Sequence, residues 1–206
     1  MSTLATPQPT ALLPLPSPAD VYRISVDLYE RMIDSGSIGE DEPIELLNGV
    51  LVRKMPKNPR HMVATELGRR AIDKATPSGW HVRGEGPVRI PNYDEPEPDL
   101  AVVRGDVDEY SARHPVPGEI ALLVEVADSS LARDRGEKRD IYARAGIAFY
   151  WIVNLVDRQL EVYANPVGGV YPAPMVLDEP ESVELFIDGQ TFGPIPVAAM
   201  FPRQPS

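Results

Sequence analysis

Residues 120–127 read Ile120-Ala121-Leu122-Leu123-Val124-Glu125-Val126-Ala127, the most apolar run in the chain. Uninterrupted apolar residues from 120 to 124 suit a central strand covered on both faces. Glu125 breaks the run. A lone carboxylate on such a strand is costly unless it is paired or binds a metal. A residue that violates its burial pattern says more than one that obeys it.

Outward from this strand the pattern is mixed. Residues 134–145 predict a helix, with Asp134 and Glu137 spaced as a capping box and Gly146 as the stop. Segments 148–155 and 159–164 predict a hairpin around Val156-Asp157-Arg158, with Tyr150 and Trp151 as core aromatics. One or two strands follow between 170 and 187, and a Gly- and Pro-rich end, 189–206, closes the domain. Toward the N-terminus, 99–103 reads as a short buried strand after the acidic, proline-rich loop 92–98. Residues 80–90 read as extended and 60–74 as a helix. Asn48-Gly49 joins 44–47 to 50–54 in a predicted hairpin, and a short helix covers 26–34 from Ser25. Residues 1–18, with Pro7, Pro9, Pro14, Pro16 and Pro18, predict a disordered arm. No repeat or linker interrupts 20–200, so 19–206 reads as one mixed α/β domain.

The chain has 206 residues, no cysteine and a formal charge of −11. Zero cysteine excludes disulfides, thiolate nucleophiles, zinc ribbons and iron–sulfur clusters. No basic-then-apolar leader and no long apolar run occurs, so a soluble, cytoplasmic protein with no membrane partner is expected. The charge argues at first against a nucleic-acid partner. It is uneven, however. Residues 53–83 hold eight Lys or Arg against two Asp or Glu, and 84–130 hold three against eleven. The segment 131–144 holds five against three. A phosphate backbone responds to such local faces, although a basic helix face is also ordinary solvated surface.

Besides Glu125, three charges break the burial pattern. Asp99 opens the apolar run 99–103; alone, it reads first as a strand-end residue facing solvent. Glu45 shares an alternating face with Leu47. Lys138 heads the helical stripe of Ile141, Tyr142 and Ala145, which turns it inward or leaves it snorkelling at the helix end. Together these residues make a chemical set. Neighbouring carboxylates repel unless a divalent cation sits between them, and oxygen ligands suit Mg²⁺ or Mn²⁺. Such an ion activates water and stabilises phosphoryl charge, with a lysine to orient the water. His61 reads as a surface residue near a helix start, with phosphate contact as the alternative. Ser129-Ser130 reads as turn and cap chemistry. No G-x-S-x-G, Walker lysine or placed Rossmann fingerprint is present.

The order of short motifs is distinctive: Glu45-Leu46-Leu47-Asn48-Gly49, His61, Glu97-Pro98-Asp99-Leu100-Ala101-Val102, Leu123-Val124-Glu125-Val126, Asp134-Arg135-Gly136-Glu137-Lys138, Tyr142-Ala143-Arg144-Ala145-Gly146 and Tyr150-Trp151-Ile152-Val153. It resembles the Uma2 family of restriction-endonuclease-like proteins, a branch of the PD-(D/E)XK nucleases, over roughly 20–200. The resemblance implies a restriction-endonuclease-like α/β fold, a mixed sheet flanked by helices. It matches Pro98-Asp99 to the family's PD, Glu125 to its acidic position and Glu45 to an acidic residue before the core. The lysine expected two residues after Glu125 is absent, since position 127 is alanine. The resemblance moves that role to the following helix, where Lys138 stands.

The expected function is therefore a Mg²⁺-dependent endonuclease acting on DNA, with Mn²⁺ as the alternative ion. Asp99, Glu125 and Glu45 are the expected metal residues and Lys138 positions water. A homodimer is expected because cutting two strands suits two active sites. The competing expectation is a nuclease-fold protein without catalysis, acting as a DNA-binding or protein-interaction module.

Overall fold

A computed structural model describes residues 21–39 and 41–203. The arm expected over 1–18 lies outside the described residues, as do 204–206. Helix α1 (Val26–Asp34) starts where Ser25 Oγ accepts the Leu28 N–H, and it buries Val26 and Tyr29. Strands β1 (Ile44–Leu47) and β2 (Val50–Arg53) then pair as the expected hairpin. Asn48 and Gly49 both take positive φ, 51° and 77°, the geometry of a tight primed turn. A Cβ at Gly49 would lie 2.7 Å from Arg23 Cβ. Gly49→Ala is therefore expected to cost about 1–3 kcal/mol from backbone strain plus that clash, measured as a lowered urea midpoint.

Helix α2 (Pro59–Asp73) is capped by Asn58, whose Oδ1 accepts the His61 N–H at 2.9 Å. β3 (Trp80–Gly84), β4 (Leu100–Arg104) and β5 (Ile120–Ala127) follow. Every residue of β5 is buried. The chain next makes one α-helical turn, α3 (Leu131–Arg133), a π-helical turn (Asp134–Lys138) and α4 (Arg139–Arg144). The helix thus begins a turn earlier than its sequence suggests, and Asp134 is not its cap. Ser130 precedes it, and Asp134 is buried at 1% exposure. The π turn adds a residue to the winding, a feature frequent near functional sites.

β6 (Phe149–Asn154), β7 (Gln159–Ala164) and β8 (Met175–Asp178) complete one sheet in the order β3-β4-β5-β6-β7-β8. Only β5 and β6 are parallel, as their helical crossover requires. β9 (Ser182–Ile187) and β10 (Gln190–Pro196) pair separately. β10 lies in the Gly- and Pro-rich end, where composition masks it; its pairing shifts register between Phe192 and Ile195.

Apolar side chains cover both sheet faces. On one, Ala64 and Ile72 of α2 and Leu185 and Ile195 of the last hairpin pack on Leu122, Val124 and Trp151. On the other, Ile141 and Tyr142 of α4 and Leu47 of β1 pack on Leu123, Tyr150 and Ile152. Val26 and Tyr29 of α1 close over Leu46. Tyr150 and Trp151 are the core aromatics expected, each 1% exposed or less. Alternation places Glu125 on the α4 face, next to Leu123. No described helix is long and apolar enough to cross a membrane.

Candidate active site

The register Leu100↔Val124 brings Asp99, one residue before β4, opposite Glu125 on β5. Asp99 Oδ2 accepts the Val126 N–H at 2.8 Å. Glu45 enters from β1, where its Oε2 accepts the Glu97 N–H at 3.1 Å. Lys138 comes down from the π turn. Its Nζ lies 2.9 Å from Glu125 Oε1 and 3.2 Å from Glu45 Oε2. All four residues expected from the sequence line one cavity of about 60 Å³. All four are also at most 5% exposed.

His61, Lys57 and Asp134 line the same cavity and Tyr142 bonds to its Glu125, a set that sequence reading missed. His61 is buried, and its Nε2 lies 3.2 Å from Asp99 Oδ2. It is not the surface residue expected, because Asn58 starts α2 one turn ahead of it and turns its ring inward. Lys57 Nζ bridges Asp99 Oδ1 at 3.0 Å and Glu85 Oε1 at 3.1 Å. Asp134 accepts the Ser130 hydroxyl at 2.6 Å. Tyr142 donates its hydroxyl to Glu125 Oε1 at 2.8 Å. The only sequence signal for Tyr142 was its place one turn from Lys138 on the inward stripe.

The electrostatics follow from crowding. Burial would lower Lys138, but Glu125, Glu45 and Asp134 outweigh it and hold the ammonium well above its usual value. Burial pushes Glu125 well up; Lys138 opposes, while Asp134, Asp99 and Glu45 add to the rise. Burial likewise lifts Asp134 to about 6 against Lys138 and the Ser130 hydroxyl. Burial would also lift Asp99, yet His61, Lys57 and the Val126 N–H hold it below the usual carboxylate range. The site thus carries more carboxylates than its one fully buried cation can neutralise.

That donor set fits a hard divalent cation. Glu125 Oε2 faces no hydrogen-bond donor among the described residues, its bonds being made through Oε1. Among the described residues no three Asp, Glu or His side chains form a ready cage. Mg²⁺ does not need one, since it usually takes one or two carboxylates and completes its shell with water and substrate oxygens.

The π turn is anchored on the sheet at two points. Glu125, Ile152 and Glu161 lie in one cross-strand row. Lys138 meets the first carboxylate, and Arg135 clamps buried Glu161 at 2.7 and 3.0 Å. Tyr150 donates its hydroxyl to the Asp134 carbonyl at 3.1 Å. Those contacts fix the winding that aims Asp134 and Lys138 into the cavity.

Comparison with known proteins agrees with this architecture. The family described as "Uma2: Putative restriction endonuclease" matches residues 26–197. The crystal structure of a putative nuclease belonging to DUF820 from Anabaena variabilis superposes with a TM-score of 0.64 at 14% identity. The match covers 86% of this chain and 97% of that one. The fold is therefore restriction-endonuclease-like, a mixed sheet flanked by helices, as expected. No curated protein matches the chain.

Proposed function

The chain belongs to the Uma2 family, and we propose that it is a metal-dependent nuclease hydrolysing phosphodiester bonds in DNA at this cavity. One observation carries the reading: a buried lysine held among the carboxylates of Glu45, Glu125 and Asp134. As structure alone this is a poor bargain, since apolar replacements of buried ion pairs are often neutral or stabilising. As chemistry it makes sense, because it concentrates charged groups where a phosphodiester would react. The neighbouring Anabaena structure, described as a putative nuclease, supports the same reading.

The chain's own groups divide the work. Asp99 is kept ionised and oriented by the Val126 N–H, Lys57 and His61. With Glu125 and the adjoining Glu45 it forms the ligand set. A Mg²⁺ or Mn²⁺ held there would supply Lewis acidity toward the phosphoryl oxygens and a water of lowered pKa. Lys138 stays protonated, so it serves as a cation and donor rather than as the base. It orients the Glu45 and Glu125 carboxylates and offers charge to the developing phosphorane. Lys54 and Lys57, from the basic segment, line the mouth where a backbone phosphate would arrive.

Nicking of supercoiled plasmid in Mg²⁺ or Mn²⁺ tests the proposal. Glu125→Ala is expected to lower the rate by at least about 10²-fold, the size of losing one charge-stabilising group. Equal nicking by the variant removes Glu125 from the chemistry. A folded wild-type protein that takes up no Mn²⁺ in calorimetry and cuts nothing favours the non-catalytic module instead.

A further inference from the structure

Both oxygens of Asp99 are already in use. Oδ2 accepts the Val126 N–H at 2.8 Å and faces His61 Nε2 at 3.2 Å. Oδ1 is held by the Lys57 ammonium at 3.0 Å. Mg²⁺ sits about 2.0–2.1 Å from its ligand oxygens. On Oδ1 it would lie close beside that ammonium, and two cations sharing one oxygen repel. Asp99 therefore joins Glu125 around an ion only when a partner of Asp99 withdraws.

The three partners differ in how easily they leave. The Val126 N–H belongs to β5, every residue of which is buried. His61 is buried on α2, where the Asn58 cap fixes its backbone and the Thr65 hydroxyl lies 3.4 Å from Nδ1. Lys57 lies in the irregular segment 54–58, with its side chain 32% exposed. Only its flexible four-carbon stem has to turn. A second seat for the ammonium is already built. Glu85 Oε1 lies 3.1 Å from Lys57 Nζ, and the Glu85 N–H donates to the Asp99 carbonyl at 3.0 Å, which fixes the two carboxylates as neighbours. Lys57 and Glu85 also line an open cleft of about 430 Å³ that Asp99 does not reach. Lys57 thus stands in the wall common to this cleft and the active-site cavity.

We propose that Lys57 is an exchangeable counter-ion of the active site: it neutralises Asp99 while no ion is bound, and yields Oδ1 to an incoming divalent cation by turning to Glu85 and the cleft. The inference rests on the nuclease reading, which puts a divalent cation between Asp99 and Glu125. Turned to the cleft, the ammonium joins Arg53 and Lys54 on its lining. An ion that must displace another is held more weakly than its ligands alone would hold it. The coupling is reciprocal, so Lys57 weakens the metal by the factor by which the metal loosens Lys57.

Two measurements on the full chain test this without reference to cleavage. The first is calorimetric titration with Mn²⁺. Lys57→Met is expected to bind the ion at least about 5-fold more tightly than the wild type, the low end of ordinary coupling between two bound groups. Lys54 lines the same cavity but pairs with Glu97. Lys54→Met removes an equal charge without freeing Asp99, and is expected to shift the affinity by about twofold or less, as for an exposed charge. Circular dichroism establishes that both variants are folded. The second measurement needs no variant: acetylation of wild-type lysines, read by mass spectrometry against the exposed Lys74. Saturating Mg²⁺ is expected to speed acetylation of Lys57 several-fold over EDTA. An unchanged Lys57 rate, or a Lys57→Met affinity no tighter than that of Lys54→Met, overturns the inference and leaves the nuclease reading standing. Absence of Mn²⁺ binding by both the wild type and folded Lys57→Met overturns both.

Discussion

Replacing Lys138 with methionine is expected to destabilise the protein by about 3–5 kcal/mol at neutral pH, because removing one partner of a buried pair strands the other's charge. Methionine keeps most of the volume, so the loss is electrostatic. Nζ now lies within 3.2 Å of both Glu125 and Glu45. Without it, those carboxylates and Asp134 face one another with burial unopposed. The sign of the pH dependence follows. Burial already holds Glu125 above its usual value and Asp134 at about 6. A carboxyl raised in the folded state stabilises that state below its unfolded value, roughly 4. That contribution disappears as pH rises through the folded value. Lys138 limits the rise in both groups, so the variant's deficit is small near pH 4 and grows toward pH 7.5. Urea unfolding at several pH values measures it. Adding Glu125→Gln to Lys138→Met is expected to recover much of the loss. A deficit that is flat across this range would mean that packing, and not charge, was removed.

The reasons why Lys138 was legible and Asp134 was not are physical. Lys138 precedes Ile141 and Tyr142 by three and four residues, so helical geometry alone turns it toward the sheet. Asp134 and Glu137 have the spacing of a cap, and only the structure shows the helix starting at Leu131. A helix boundary is decided by the competition between Ser130 and Asp134 for the preceding turn, which local sequence leaves nearly balanced. Glu125 stood out because a charge in a wholly apolar strand contradicts its surroundings. His61 and Lys57 contradict nothing locally. Their meaning lies in contacts with Asp99 across about 40 residues of chain, and no periodicity encodes a contact at that range. The hairpin of β1 and β2 was legible for the opposite reason: two residues at positive φ satisfy a turn with no help from the rest of the fold.

Glu95→Gln is expected to stabilise the protein by about 3 kcal/mol at pH 7, the cost of keeping a glutamate protonated far above its usual value. Burial and the Glu30 carboxylate hold Glu95 at about 8. Glu30 is itself engaged, accepting from Arg89 Nε at 2.8 Å, so Arg89 cannot fully serve Glu95 as well. In the unfolded chain Glu95 releases its proton near pH 4.5, whereas in the folded chain it retains it. The folded state binds more protons across this interval, so wild-type stability falls as pH rises from about 4.5 to about 8 and then levels. Glutamine carries no such linkage. Its amide N–H₂ can donate to Glu30 as the glutamic acid proton does. The gain should therefore be near zero at pH 4.5, grow steadily with pH and reach its maximum above pH 8, read as a difference between paired urea titrations. Equal stability of the two proteins at every pH would show that Glu95 ionises normally in the fold, with Arg89 sufficient to neutralise both Glu30 and Glu95. Because Glu95 is 3% exposed, solvent screening cannot account for such a result.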